Sequence, residues 1–348
     1  MHKTKSYAAF DPKSPLKFYE FNRRKLNSDD VLIDIDYCGV CHSDLHEVRS
    51  EWSNTTYPFV PGHEIIGRVK EIGSSVTKFK IGDLVGVGCM VNSCGKCEPC
   101  EGDTEQFCQK GASFTYNSPD PDNITTKGGY SDKIVVNNDF VLKIPENLDP
   151  AAAAPLLCAG ITTYSPLKYW NIKANDKVGI VGLGGLGHMG VKIAKSMGAH
   201  VIVFSRTENK KADALKLGAD EVVISTNNDE MQKVTGTLDF ILDTVSAPHD
   251  VAGLLQLLKI KGNLCMVGAS PEPHKIPSSV LIFGQKNLCG SLIGGIAETQ
   301  EMLDYCGKHN ITSDIEMISI QNINEAYERM LKSDVKYRFV IDIKSLTK

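Results

Sequence analysis

Between Lys177 and Arg206 the apolar positions change period twice. Val178, Ile180 and Val181 make a short apolar strand, and from Leu186 apolar or small residues recur at Met189, Gly190, Ile193, Ala194 and Met197, the spacing of a helix burying one face. Gly198 closes that helix, and Val201 to Phe204 form a second apolar run, so the stretch predicts one βαβ unit. The alternation continues with predicted helices over 212–217 and 249–258 and strands over 221–224, 238–242, 263–267 and 288–293, which predicts an α/β, doubly wound parallel sheet. Upstream the pattern is different. Ile33, Ile35 and Tyr37 alternate with Asp34 and Asp36, a half-buried strand. Short apolar runs and glycine turns follow, with strands expected over 128–136 and 141–145, as in an irregular β-rich domain. An alanine-rich helix is predicted over 149–162, with a second helix before Lys177. The tail carries a helix with Ile323, Ala326, Tyr327 and Met330 on one face, then a strand over 338–343. These shifts divide the chain into 1–150, 151–295 and 296–348, the last returning to the first domain.

The turn of the βαβ unit reads Gly182-Leu183-Gly184-Gly185-Leu186-Gly187, a GxGxxG pattern between a strand and a helix. Gly182 permits the tight turn, Gly184 lets a pyrophosphate approach the backbone, and Gly187 lets helix and strand pack closely. The expected ligand is a dinucleotide whose pyrophosphate rests on the helix start. Strands that serve NAD normally end in an acid that accepts from the ribose 2′-hydroxyl. Here Phe204 is followed by Ser205, Arg206 and Thr207, with Lys210 and Lys211 close behind. A carboxylate would repel a 2′-phosphate, whereas Ser205, Arg206 and Lys210 would bind it, so NADP(H) is predicted.

A chain of 348 residues is long enough for two cores. Its net charge of −4 argues against nucleic acid or an acidic membrane as the main partner. No run approaches the ~20 apolar residues of a membrane span, and a soluble, cytoplasmic protein is expected. Eleven cysteines in such a chain suggest reduced thiols and metal. Cys94, Cys97, Cys100 and Cys108 lie within one short loop, close enough for one tetrahedral ion to take all four thiolates. Four sulfurs leave no open position, so a structural zinc is predicted, with an iron–sulfur cluster as the alternative. A second dense set runs from Cys38 to His46, followed by Pro61-Gly62-His63-Glu64. Softness of donor nominates Cys41 and His63 as zinc ligands, but spacing does not single out a third.

CGVCHSDLH at Cys38 to His46, PGHE at Pro61 to Glu64, the four-cysteine lobe, GLGGLGHMG at Gly182 to Gly190 and GSLIGG at Gly290 to Gly295 together resemble the zinc-containing medium-chain dehydrogenases, in their cinnamyl alcohol dehydrogenase branch. The resemblance spans nearly the whole chain. It implies a Rossmann domain beside a GroES-like catalytic domain that bears the structural-zinc lobe. It also implies a catalytic zinc on Cys41, His63 and Cys158 with a fourth position open, and Glu64 beside it as an occasional ligand or as a salt-bridged or surface carboxylate. Asp44 would hold the other ring nitrogen of His63. Ser43 is the expected first proton relay and His46 its exchange point with solvent. The resemblance brings His42 to the cofactor pyrophosphate, and Thr162, Gly185, Leu186, Val267, Ser291 and Ile293 complete the expected cofactor contacts. Trp52, Phe114 and Ile293 are candidate substrate walls. Cys38 is not expected to act as a redox partner of Cys41, and Cys89, Cys265, Cys289 and Cys306 are expected to be small core residues.

The implied reaction is reversible reduction of aromatic, cinnamyl-type or aliphatic aldehydes by NADPH in a homodimer paired through Gly290 to Gly295. The alternatives are an NAD-linked polyol or simple alcohol dehydrogenase and a non-catalytic NADPH-binding protein of the same fold.

Overall fold

The computed structural model describes every residue except Ser53, Pro121, Asp122 and Lys348, with Thr347 described for its backbone alone. The chain forms two compact units, Met1–Cys158 with Gly294–Lys348, and Ala159–Ile293. The first boundary falls after Cys158 rather than at 150, because the short helices Pro150–Ala153 and Ala154–Leu157 pack on strands of the first unit. Cys89 Sγ, for example, lies 3.8 Å from the Leu157 carbonyl.

In the first unit the strands follow the order Ile315–Ser319, Arg338–Asp342, Asp30–Gly39, Ile65–Ile72, Leu84–Val87, Leu142–Lys143, and Lys133–Asn137 also pairs with Asp30–Gly39. Asp30–Gly39 lies at the centre. Val31, Leu32 and Ile33 are all fully buried, so the expected one-sided alternation holds only over its second half, where Asp34 and Asp36 stay partly exposed. The tail strand Arg338–Asp342 pairs antiparallel with the end of this strand, Ile341 opposite Cys38, and so brings the C-terminal segment to the cysteine-rich loop. The expected strand over 128–136 starts only at Lys133. Gly128, Gly129 and Tyr130 instead bond through their backbones to Val60, Gly62 and Pro61.

The expected single helix over 149–162 is broken. Pro155 cannot continue a helix that needs its N–H, and the segment runs as Pro150–Ala153, a 3-10 turn Ala154–Leu157, the non-helical Cys158, then Ala159–Tyr169. Cys158 is thereby presented from a corner.

The second unit is a six-stranded parallel sheet in the order Glu221–Ile224, His200–Ser205, Lys177–Val181, Leu238–Asp243, Leu258–Met266, Asn287–Gly290. Phe204, Leu238, Ile241, Leu254, Leu255, Leu258 and Leu264 fill one core between sheet and helices. Each such side chain contributes roughly 1.5–3 kcal/mol by leaving water. The helix expected from His249 begins at Val251, because the Asp250 carboxylate caps it by accepting from Gly253 N at 2.9 Å. The strand expected over 288–293 ends at Gly290, and Ile293 adopts a left-handed backbone with φ 38°. Among the described residues no helix is long and apolar enough to cross a membrane.

Candidate active site and cofactor turn

Strand Asp30–Gly39 delivers the chain to the helix His42–Val48, whose start is closed by its own third residue: Asp44 Oδ2 accepts from Cys41 N at 2.9 Å. The same carboxylate accepts from Gly62 N at 3.1 Å, from His63 Nδ1 at 3.0 Å and from the Tyr130 hydroxyl at 3.2 Å. Asp44 is fully buried, so these four donors are what make its charge tolerable. With Nδ1 of His63 turned to Asp44, Nε2 is the ring nitrogen left for a metal.

Cys41, His63, Glu64 and Cys158 are all buried, and one donor atom from each lies within 4.8 Å of the others. All four belong to the first unit. Glu64 forms a buried ion pair with Arg338 through Oε1, while its Oε2 is buried without a hydrogen-bond partner. Arg338 Nη1 also lies 3.9 Å from Cys41 Sγ. The Cys41 thiol is held well below the ordinary range, first by the hydrogen bond from Cys158 and then, against burial, by the charges of Arg338 and His63. Burial pushes the Glu64 carboxyl up to about 7, with Arg338 acting in the opposite direction. Two thiols, one imidazole lone pair and an orphaned carboxylate oxygen in one buried cluster form a donor set suited to zinc, with the soft ligands outnumbering the hard one.

The second cluster is the cysteine loop. Cys97 and Cys100 sulfurs are 3.4 Å apart, Cys94 and Cys100 3.9 Å, and Cys97 and Cys108 3.9 Å. A tetrahedral ion with ~2.3 Å bonds to sulfur sets its ligands about 3.8 Å apart, so these spacings match one zinc. A multi-iron cluster would spread the four sulfurs over separate metals. The backbone N–H of Lys96 is the main reason the Cys94 thiol is lowered to about 6.

Ser43 Oγ lies 3.6 Å from Cys41 Sγ, next to the cluster. His46, one turn on, is partly exposed, bonds Glu51 Oε2 through Nδ1 at 2.5 Å and stacks on the Trp52 ring at 5.1 Å. His42 is exposed, its ring 6.4 Å from that of His46. Phe114 is 37% exposed and Trp52 50%, so neither is a plain core residue. Cys38 is fully buried, and burial raises its thiol well above the ordinary range. Cys89 is not a bland core residue: its thiol is hydrogen-bonded to that of Cys158, beside the cluster.

In the second unit the glycine turn behaves as its spacing predicts. Gly182 has φ +88°, a Cβ on Gly187 would stand 1.9 Å from the Gly182 carbonyl, and a Cβ on Gly184 would meet nothing within 4 Å. The space over Gly184 is open. Thr244 Oγ1 donates to the Val181 carbonyl at 2.8 Å and braces the turn from below. Lys210 reaches back to the Leu183 carbonyl at 3.0 Å, which sets the basic cluster against the turn; burial, then Arg206, lowers its pKa. Arg206 is exposed at the strand end. The Ser205 hydroxyl donates to the Thr207 carbonyl at 2.8 Å, so its proton is engaged within its own turn. Ser291 N bonds the Met266 carbonyl at 3.1 Å, bringing Ser291 beside Val267, while Thr162 is buried in the helix Ala159–Tyr169.

Sequence reasoning missed Arg338, Tyr130 and Tyr327, the last 3.4 Å from the Tyr130 hydroxyl. The only local signal for Arg338 was a cation opening an otherwise apolar strand.

Residues 27–146 match the family model of the alcohol dehydrogenase GroES-like domain, and residues 185–308 that of the zinc-binding dehydrogenases. The chain is 55% identical to an aldehyde reductase of Escherichia coli (strain K12) over 348 residues, covering 99% of each. It superposes on a cinnamyl alcohol dehydrogenase of Sorghum bicolor with a TM-score of 0.96 at 45% identity, over 99% of this chain and 98% of that one. The cinnamyl alcohol dehydrogenase of Helicobacter pylori, solved in complex with NADP(H), gives a TM-score of 0.93 at 45% identity, over 98% of both chains. With its two donor clusters and its glycine turn, the chain belongs to the zinc-containing medium-chain alcohol dehydrogenases and aldehyde reductases, in the cinnamyl alcohol dehydrogenase branch.

Proposed function

We propose that the enzyme reduces aromatic, cinnamyl-type and aliphatic aldehydes reversibly with NADP(H), carries one catalytic and one structural zinc, and works as a homodimer. The observation that carries the cofactor choice is the strand end at Ser205-Arg206, which has no carboxylate to repel a 2′-phosphate and has Lys210 beside it. The NADP(H) complex of the Helicobacter pylori relative supports the same choice.

Cys41, His63 and Cys158 would hold the catalytic zinc, with Glu64, paired to Arg338, beside them. Bound there, zinc supplies Lewis acidity toward a carbonyl oxygen, and the nicotinamide supplies hydride. Asp44 holds the Nδ1 side of His63, which fixes the ring and leaves a more basic Nε2 for the metal. Ser43, beside Cys41, exchanges a proton with the substrate oxygen, and His46 passes it on to solvent. Gly182, Gly184, Gly185, Leu186 and Gly187 cradle the pyrophosphate, and Arg206 and Lys210 pair with the 2′-phosphate. Thr162, Val267, Ser291 and Ile293 line the remaining cofactor. The segment Gly290 to Gly295 joins two copies.

The test is kcat/KM for cinnamaldehyde with NADPH and with NADH. A charge-assisted phosphate contact worth about 1.5–3 kcal/mol predicts NADPH ahead by ~10–100-fold. Equal efficiency would overturn the cofactor assignment.

A further inference from the structure

Cys265 and Cys289 stand opposite each other on neighbouring parallel strands, Leu258–Met266 and Asn287–Gly290. Side chains of register partners point to the same face, and neighbouring strands lie about 4.8 Å apart, within the roughly 4.4–6.8 Å between Cα atoms that a disulfide spans. Leu264 and Leu288, the partners one position earlier, go to the opposite face and pack in the core with Leu254 and Leu255. The two cysteines thus share a face. Cys265 is fully buried there, while Cys289, on the edge strand, is partly exposed.

We infer that Cys265 and Cys289 are a redox-reactive dithiol that closes to a disulfide under hydrogen peroxide and thereby weakens cofactor binding. Cys289 is the attacking thiol. The hydrogen bond from Cys265 lowers its pKa and raises that of Cys265, and it is the one that solvent reaches. The Cys289 thiolate takes one peroxide oxygen to give a sulfenic acid and hydroxide. The Cys265 sulfur then displaces that hydroxyl, and the protons shed by the two thiols leave with the oxygens, so that two thiols and one peroxide give one disulfide and two waters. Adjacent parallel strands do not offer relaxed disulfide geometry, and a strained bond of this kind is readily reduced by dithiols, as a reversible modification requires.

The consequence follows from what comes next in each strand. Met266 pairs with Gly290 and accepts from Ser291 N, and the chain then runs into Val267 on one side and Ile293 on the other. A covalent tie one residue earlier draws together the segments assigned to the cofactor. This effect on binding rests on the NADP(H) reading; the bond itself does not.

The experiment oxidises the zinc-loaded enzyme with hydrogen peroxide, blocks free thiols, digests it without reductant and maps the peptides, with NADPH affinity read by fluorescence titration before and after. Expected are a Cys265 to Cys289 cross-link two hydrogens lighter than the free pair, a several-fold weaker NADPH affinity, restoration of both by a dithiol, unchanged zinc content, and neither effect in Cys289→Ser. Both thiols fully alkylated after oxidation would overturn the inference, and a cross-link with unaltered NADPH affinity would overturn the coupling. Failure of the reduced enzyme to bind NADPH while the cross-link still forms would count against the cofactor reading alone.

Discussion

Asp44 and His63 meet at 3.0 Å through Nδ1, in a pocket where the carboxylate is fully buried and accepts three further hydrogen bonds. This contact orients the imidazole whose other nitrogen we assign to the metal. Asp44→Asn keeps the volume and the acceptor oxygen but loses the charge, and a change of this type lowers metal affinity by ~10–100-fold. Zinc release to a chromogenic chelator should therefore quicken in Asp44→Asn, with the slow release from the cysteine loop unaltered. Release at the wild-type rate would mean that Asp44 serves only to close the helix start.

Arg338 and Glu64 are a buried pair drawn from segments 274 residues apart. Removing the guanidinium leaves a carboxylate with no partner in the interior, a loss of about 3–5 kcal/mol. Arg338→Met should lower the urea midpoint accordingly. The double variant Arg338→Met with Glu64→Gln should recover part of the loss, because no charge is then stranded. A double variant no more stable than the single one would show that the arginine acts through packing alone.

A pH effect is expected in the second unit. His249 Nε2 bonds Asp243 at 2.8 Å, and this hydrogen bond is the main reason its pKa is raised, with burial opposing; Asp250 also acts on it, and His274 packs against its ring. A raised folded pKa means that protonated His249 is favoured by the fold. Its contribution is complete below the unfolded value of about 6.5 and is lost as pH rises through the folded pKa. Unfolding free energy measured from pH 6 upward should carry a decline that His249→Gln lacks. Identical pH slopes in the two proteins would refute the assignment.

Much of this was legible because it is local. The glycine turn and the four cysteines each lie within a short stretch, so spacing alone conveys their geometry. Cys158 was not legible from spacing: it owes its position to a helix break at Pro155, and it was recovered only by family resemblance. Arg338, Tyr130 and Tyr327 were invisible for a different reason. Arg338 reaches Glu64 through sheet pairing, Tyr130 reaches Asp44 from a loop, and Tyr327 bonds Tyr130 from a helix, so each meets the site from a segment distant in sequence. The Cys265 and Cys289 pair was likewise hidden, since only the register of two strands brings the thiols together.

The central claim is that Cys41, His63 and Cys158 share one zinc on which NADPH-dependent aldehyde reduction depends. Zinc content and cinnamaldehyde reduction, measured together in the wild type and in Cys158→Ser, test it most directly. The account predicts two zincs per chain falling to one, with reduction abolished and NADPH binding retained. A Cys158→Ser enzyme that keeps both zincs and turns over at the wild-type rate would contradict it.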